Sequence, residues 1–471
     1  MTTLVAPPSP PIRRRRRAVA IRPRAIAGVV AAEVFAGVLG FAATVHLARR
    51  LGPDGFARVE LAGAIAAWLL VIVRGGVESI VQREAARRPR LIHRLTEQLL
   101  GLKCALAAVA SGIALIAAMA AGPLRGPVIA VAALVLVPSA LVPDVAPRAL
   151  GRLGPLAIAQ VMRALAMIGA CWSLVAGPGQ ALRGAACAVV AEGAACLVLS
   201  HRHASWYGPA RPRFRRRAWL ALLRRGAIAS LSRFGRVSLF AIDAMALGWC
   251  ASAAFGPYAA ARRIVFAIAA VGLVVPAAVA PAIARAWAFS EGSARALVAE
   301  IHELLLALAI PAAVGLAVTG PRWMPWIFGA EYAGGGRWLA LTAARLPWLL
   351  AASLAQAALI ACRREREALR LIATVCGFGV VLVPITAWLW GTWGVGLAVL
   401  ALELAATIGG WIQLDRLRIA PPLHDALLRA LAGSVPLAAV GLAFRPLWLA
   451  CPLAALAYGA TWFGVRRACR C

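Results

Sequence analysis

Apolar runs of about twenty residues, each enough for one bilayer crossing, recur from end to end of this chain, broken by short segments rich in arginine, glycine and proline. The pattern predicts helical spans over residues 25–47, 59–81, 97–121, 127–147, 156–176, 181–200, 226–250, 258–284, 297–319, 338–361, 369–390, 393–414, 426–444 and 446–466. An all-α polytopic membrane protein of about fourteen transmembrane helices follows, with both termini on one side. The longest interruption, residues 201–225, is basic and divides the chain. The pattern gives a basic tail over 1–24, an N-terminal lobe over 25–200, that loop, a C-terminal lobe over 226–414, and two further spans with a terminus over 415–471.

Charge fixes the orientation. Arginine concentrates in alternate loops, at Arg83 to Arg94, Arg211 to Arg225, Arg363 to Arg370 and Arg466 to Arg470. Basic loops stay cytoplasmic, so both termini are expected inside. The first apolar run is far longer than a signal-peptide core of roughly 7–15 residues and is expected to remain as the first span. Only then does composition add something: 62% apolar residues and a net charge of +32 over 471 residues. In a soluble protein such a charge would suggest nucleic acid; here it is parcelled between spans, and nucleic acid is set aside.

Charges inside the spans carry the chemistry. An arginine at mid-bilayer costs roughly 2.5–3.5 kcal/mol on insertion scales, so each needs a reason. Span seven holds Ser230, Arg233, Arg236 and Asp243 on one face. After a short turn, Phe255-Gly256-Pro257-Tyr258, span eight opens with Arg262 and Arg263. The first lobe holds Arg74 and Arg163, and span ten holds Arg345 as a weaker candidate. Glu33 shares a face with Gly37, Gly40 and Thr44 at helical spacing, suited to a cavity wall or close helix packing. Each has a plainer reading. Arg74 and Glu78, four apart, would neutralise one another on one helix; Arg233, Arg262 and Arg263 would snorkel to headgroups. Gln160 and Arg163 would be a packed polar pair or a cavity wall, while Glu192, Asp144 and Glu403 have no partner visible in sequence. The tryptophans near span ends fit an interfacial belt.

Several motifs stand in order at matching spans. Ala48-Arg49-Arg50-Leu51-Gly52-Pro53 follows span one, and Gly76-Val77-Glu78 with Arg83-Glu84-Ala85 ends span two. Asp243 with Leu247-Gly248 precedes Gly256-Pro257-Tyr258-Ala259-Ala260-Ala261. Ile327-Phe328-Gly329-Ala330-Glu331-Tyr332 follows span nine, and Trp393-Gly394-Val395-Gly396-Leu397 opens span twelve. Together they resemble the polysaccharide and oligosaccharide flippases of the multidrug/oligosaccharidyl-lipid/polysaccharide exporter superfamily, over nearly the whole chain. Ala57 and Val59 depart from the pattern, and Arg74 and Arg236 have no clear counterpart in it.

The resemblance implies two six-helix lobes around a central cavity and a polyprenyl-diphosphate-linked oligosaccharide carried between leaflets by alternating access. It places the chain in a bacterial inner or plasma membrane, with glycosyltransferases and a polysaccharide polymerase as candidate partners. Arginine suits a diphosphate because its fork pairs bidentately with phosphate oxygens. The expected cationic cavity is therefore Arg233, Arg236, Arg262, Arg263, Arg74 and Arg163, with Asp243, Glu33 and Glu78 as candidates for ion coupling. An exporter of organic cations or drugs, or a non-transporting scaffold for glycan assembly, remain as alternatives.

No enzyme, cofactor or metal is expected. The single lysine, Lys103, follows no phosphate-binding glycine loop, and no outer loop is long enough for a catalytic domain. Cysteines such as Cys104, Cys171 and Cys376 read as small packing residues.

Overall fold

The computed structural model describes residues 23–443 apart from Gly75 and residues 251–252, together with Leu453, Leu456, Tyr458, Gly459 and Thr461. The basic tail up to residue 22 and most of the fourteenth span lie outside the described residues. The described chain is helical throughout: α1 (Pro23–Arg74), α2 (Val77–Arg87), α3 (Ile92–Ala120), α4 (Gly126–Ala133), α5 (Leu136–Leu141), α6 (Val145–Ala149), α7 (Gly154–Leu174) and α8 (Ala181–Tyr207) form the first lobe. The second comprises α9 (Arg216–Trp249), α10 (Phe255–Phe289), α11 (Glu291–Phe328), α12 (Gly336–Ala343), α13 (Leu346–Ala361) and α14 (Glu365–Arg416), followed by α15 (Leu423–Ala443).

Among the described residues, eight helical stretches are long and apolar enough to cross a bilayer. Two of them carry two spans each. In α1 the chain turns back at Gly52 (φ 69°, ψ 175°), and in α14 at Gly391 (φ 57°, ψ −136°). Both glycines occupy the left-handed region that side chains resist. Spans one and two, and eleven and twelve, are thereby folded into hairpins without a conventional loop.

Three expectations need correction. The span over 127–147 is three short helices: Pro138, Pro143 and Pro147 remove backbone donors, and Pro143 pushes Val142 out of the helical region (ψ 114°). The 201–225 loop is mostly helix: α8 runs on to Tyr207 and α9 begins at Arg216, leaving 208–215 as the link. That link is pinned where Arg213 pairs with Glu97 (2.7 Å) and its backbone N–H bonds the Glu97 carbonyl (3.0 Å). Finally, Phe255 to Tyr258 form the first turn of α10 rather than a separate turn; proline is at home there because its missing N–H would be unsatisfied anyway.

The two lobes repeat one another in detail. Spans four and ten each open at a glycine, Gly126 and Gly336, with an eight-residue helix. Each then breaks for two residues, Leu134–Val135 and Ala344–Arg345, before resuming. Each opening glycine lies against backbone: a Cβ would stand 2.4 Å from the Ala118 carbonyl oxygen in one case and 2.7 Å from Pro321 in the other.

The solvation pattern is inverted relative to a water-soluble protein. Ile116, Met119, Val380, Val381 and Trp388 point outward, while Lys103, Asp243, Arg345 and Glu403 are buried. Such a surface belongs in hydrocarbon, where charges turn to the bundle interior. At the opposite end from the Gly52 turn the start of α9 packs Trp219, Leu222 and Leu223 against Val77, Val81 and Val145 of the first lobe; at the end carrying that turn, here the kink end, the lobes meet through polar contacts. Arg49 donates to the Trp326 and Ile327 carbonyls (both 2.6 Å), the Tyr332 hydroxyl to that of Ala48 (3.0 Å), and Arg125 to that of Gly248 (2.8 Å). Tyr332 stands in the link between spans nine and ten. The opposite end carries the arginine-rich segments and is here the basic end.

Candidate functional site

The two hairpins place charge on one wall. The second half of α1 brings Glu60 to the junction between lobes, and α10 brings Arg262 and Arg263 against it. Arg263 grips Glu60 Oε1 through Nε (2.8 Å) and Nη2 (2.7 Å), while Arg262 lies 3.7 Å from Glu60 Oε2. Behind that wall Asp243 is wholly buried. It accepts from Tyr258 Oη (3.0 Å) and Arg345 Nη1 (3.0 Å), and Arg262 Nε stands 3.2 Å away. Arg262 also donates to the Phe240 carbonyl, and Arg345 reaches Glu403 (3.5 Å). Glu403, Arg345, Asp243, Arg262, Glu60 and Arg263 thus alternate in sign across four helices of the second lobe and into the first. Each ion has a counter-ion, which is what burial at this depth demands.

In front of the wall opens a cavity of about 660 Å³, lined from α1, α4, α7, α8 and α10. Its polar lining is Glu33, Thr44, Glu60, Gln160, Arg163, Glu192 and Arg263; Gly37, Gly40 and Gly63 leave open space where side chains would stand. Towards the basic end it adjoins a second space of about 170 Å³ that shares Glu33, Gln160, Arg163 and Glu192 and adds Arg74, Glu78, Lys103, Asp144 and Arg148.

Arg74 pairs with Glu192, which also accepts from Ser139 Oγ (2.9 Å). Arg163 Nη1 stands 3.7 Å from the other Glu192 oxygen, beyond hydrogen-bonding distance, with its side chain 42% exposed to the cavity. Lys103, almost wholly buried, holds Glu78 (2.6 Å) and faces Asp144 (3.7 Å), which Arg148 also grips (3.0 Å). Among the described residues no cation stands within ion-pair distance of Glu33.

This geometry revises the sequence expectations. Of the expected binding residues, Arg163 and Arg263 reach the main cavity and Arg74 the adjoining one. Arg262 lies behind the wall, held by Asp243. Arg236 sits apart, donating to Ser353 Oγ (2.8 Å) in a small pocket with Gln356 and Glu403. Arg233 is exposed and lines neither space. Arg74 does not neutralise Glu78: the expected span 59–81 breaks after Arg74, where α1 ends, and Glu78 belongs to α2, so the two are not four apart on one helix and pair instead with Glu192 and Lys103. Glu192, Asp144 and Glu403, partnerless in sequence, are all paired. The hollow is mixed in charge and not purely cationic. Glu60, Lys103 and Tyr258 were missed as site residues, although an acid near the start of span two is by itself a signal.

The polysaccharide biosynthesis protein family profile matches residues 25–287. The chain belongs to that family. No curated protein matches its sequence. Among solved structures it is similar to the lipid II flippase MurJ in an inward closed conformation: TM-score 0.73, 13% identity, covering 94% of this chain and 99% of that one. It is also similar to a multidrug resistance MATE transporter of the MOP superfamily in its inward-facing conformation (TM-score 0.61, 15% identity, 84% and 99% covered). A third similar structure is the MATE multidrug transporter DinF-BH (TM-score 0.57, 16% identity, 87% and 97% covered). At such identities the likeness is one of fold: a multi-pass membrane protein with the two-lobed architecture of transporters and flippases.

Proposed function

We propose that this protein moves a polyprenyl-diphosphate-linked oligosaccharide from the inner to the outer leaflet for cell-surface polysaccharide assembly. The observation that carries the reading is Arg163: a guanidinium facing a cavity wide enough for a headgroup, 3.7 Å from Glu192 and, among the described residues, hydrogen-bonded to no acceptor. A diphosphate would take those donors bidentately, with Arg263 and Arg74 contributing from either side. The polyprenyl chain stays in lipid, so only phosphates and sugars need the hollow. With the basic end cytoplasmic, the tight kink-end contacts put this conformer in a state closed to the outside.

Glu33 fits a cation that accompanies the cycle, since it stands in the cavity with no counter-ion among the described residues. Each charge crossing the full field is worth about 2.3 kcal/mol per 100 mV. The same residue favours a second reading, export of an organic cation, which agrees with the MATE-like fold.

The deciding experiment is complementation. A strain lacking the protein should accumulate lipid-linked oligosaccharide in its inner leaflet. Arg163→Gln combined with Arg263→Gln should fail to restore surface polysaccharide at normal protein abundance. Full restoration by that double variant would overturn the assignment, and cation-driven dye export abolished by Glu33→Gln alone would favour the second reading.

A further inference from the structure

Away from the cavity, the first turns of α14 and its last turns come together at the basic end around a groove of about 470 Å³. Arg364, Arg370 and Arg416 line it with Glu367, Thr374 and Gln413, above an apolar floor of Leu371, Ile412 and Leu417. The floor closes because Gly409 has no side chain; a Cβ there would stand 2.4 Å from Leu371 Cδ1. Glu367 is already held by Arg364 (3.1 Å). Among the described residues Arg370 and Arg416 have no carboxylate within ion-pair distance. Two guanidinium groups therefore remain unspent over a hydrophobic base, at the level where two spans end.

Backbone geometry supplies an independent sign. Among the described residues, two that are not glycine have positive φ, Arg363 (62°) and Arg418 (58°). They directly precede and follow the groove's two arms. Each stands at the left-handed position of a helix C-terminus: Arg364 N–H bonds the Leu359 carbonyl (2.8 Å), and Ile419 N–H bonds that of Leu414 (3.0 Å). Such positions favour glycine, and a residue with a Cβ is disfavoured there. Arginine at both, beside a groove where Arg370 and Arg416 face no carboxylate among the described residues, indicates that the side chain matters enough to offset the backbone. Topology alone would require positive charge at this end, but not at these two φ values.

We propose that this groove binds the phosphate of an anionic membrane lipid headgroup, with Arg370 and Arg416 on the phosphate, Arg363 and Arg418 at its edges, and an acyl chain along Leu371, Ile412 and Leu417. The site is separate from the transport cavity and does not depend on the cargo assigned to it. A lipid held there would bridge the arms of the hairpin formed by spans eleven and twelve.

The test uses full-length protein in phosphatidylcholine nanodiscs containing phosphatidylglycerol, with retained lipid counted by native mass spectrometry. Arg370→Gln with Arg416→Gln should weaken retention on the order of thirtyfold, the usual net worth of two lost hydrogen bonds to the phosphate. Arg224→Gln with Arg225→Gln, at the same end outside the groove, should leave it near wild type. Equal loss in both pairs would mean diffuse surface charge and overturn the site. Displacement of the lipid by excess inorganic phosphate would reassign it to a soluble anion. Arg418→Gly should raise the unfolding temperature in neutral detergent while lowering phosphatidylglycerol retention; unchanged retention counts against the proposal. If the glutamine variants fold poorly, a photo-crosslinking residue in place of Thr374 in the otherwise native chain should label phosphatidylglycerol over phosphatidylcholine. Absence of that preference would also overturn it.

Discussion

Asp243 shows what a single side chain does when buried among helices. It sits with Arg262, Arg345 and Tyr258 and has no exposed surface. Removing it leaves two guanidinium groups without their shared acceptor, and breaking a buried pair typically costs about 3–5 kcal/mol. Asp243→Ala should therefore lower the melting temperature in detergent sharply. Asp243→Asn, which keeps an acceptor oxygen, should lower it less. Equal melting of both variants would mean that charge, not hydrogen bonding, holds the cluster. Arg163 is expected to behave oppositely. Arg163→Gln should leave the melt near wild type while abolishing function, because among the described residues it makes no hydrogen bond and its ion pair with Glu192 is long (3.7 Å). Sequence named Asp243, Arg262 and Arg163 alike as intramembrane charges. It did not separate the structural from the available, since that depends on which neighbour each helix turns towards.

At the scale of elements, glycine decides where helices stop and how closely they cross. Gly256 opens α10 against the Gly52 turn, and a Cβ there would stand 2.3 Å from the Pro53 carbonyl oxygen. Backbone cannot step aside cheaply. At Gly272 the nearest atoms belong to the Leu350 side chain, with Cδ1 at 2.6 Å, and that side chain has rotamers to use. Gly256→Ala should thus cost more than Gly272→Ala, the latter within the roughly 1–3 kcal/mol of ordinary overpacking. Thermal scanning of both variants checks the order. The motif around Gly52 and Pro53 was legible in sequence, as was the Gly256 segment. That the two segments abut was not, since they lie far apart in the chain and helical periodicity relates only near neighbours.

The two lobes are joined by the Glu60 ion pairs, by apolar packing of α9 on the first lobe and, at the kink end, by a few polar contacts. Tyr332→Phe and Arg49→Gln together remove three hydrogen bonds between lobes. At about 0.5–1.5 kcal/mol each, the loss is enough to move a two-state population by more than tenfold. Spin labels at Leu124 and Trp388 on a cysteine-free background should report longer distances in the double variant than in the parent. Unchanged distances would mean that apolar packing alone keeps this end shut.

Span number, the inside-out distribution of apolar residues and the division into two lobes were determined by the sequence itself. Those properties are local: twenty apolar residues need a bilayer wherever they occur. Proline is not local in this sense: α10 runs through Pro276 and Pro281, while the span over 127–147 breaks. Partner choice was decided by tertiary structure. Whether Glu192 meets Arg74, whether Lys103 neutralises Glu78, and whether Arg236 faces the main hollow or a side pocket all depend on the rotation of each helix about its axis. Packing against distant helices sets that rotation, and no window of neighbouring residues contains it.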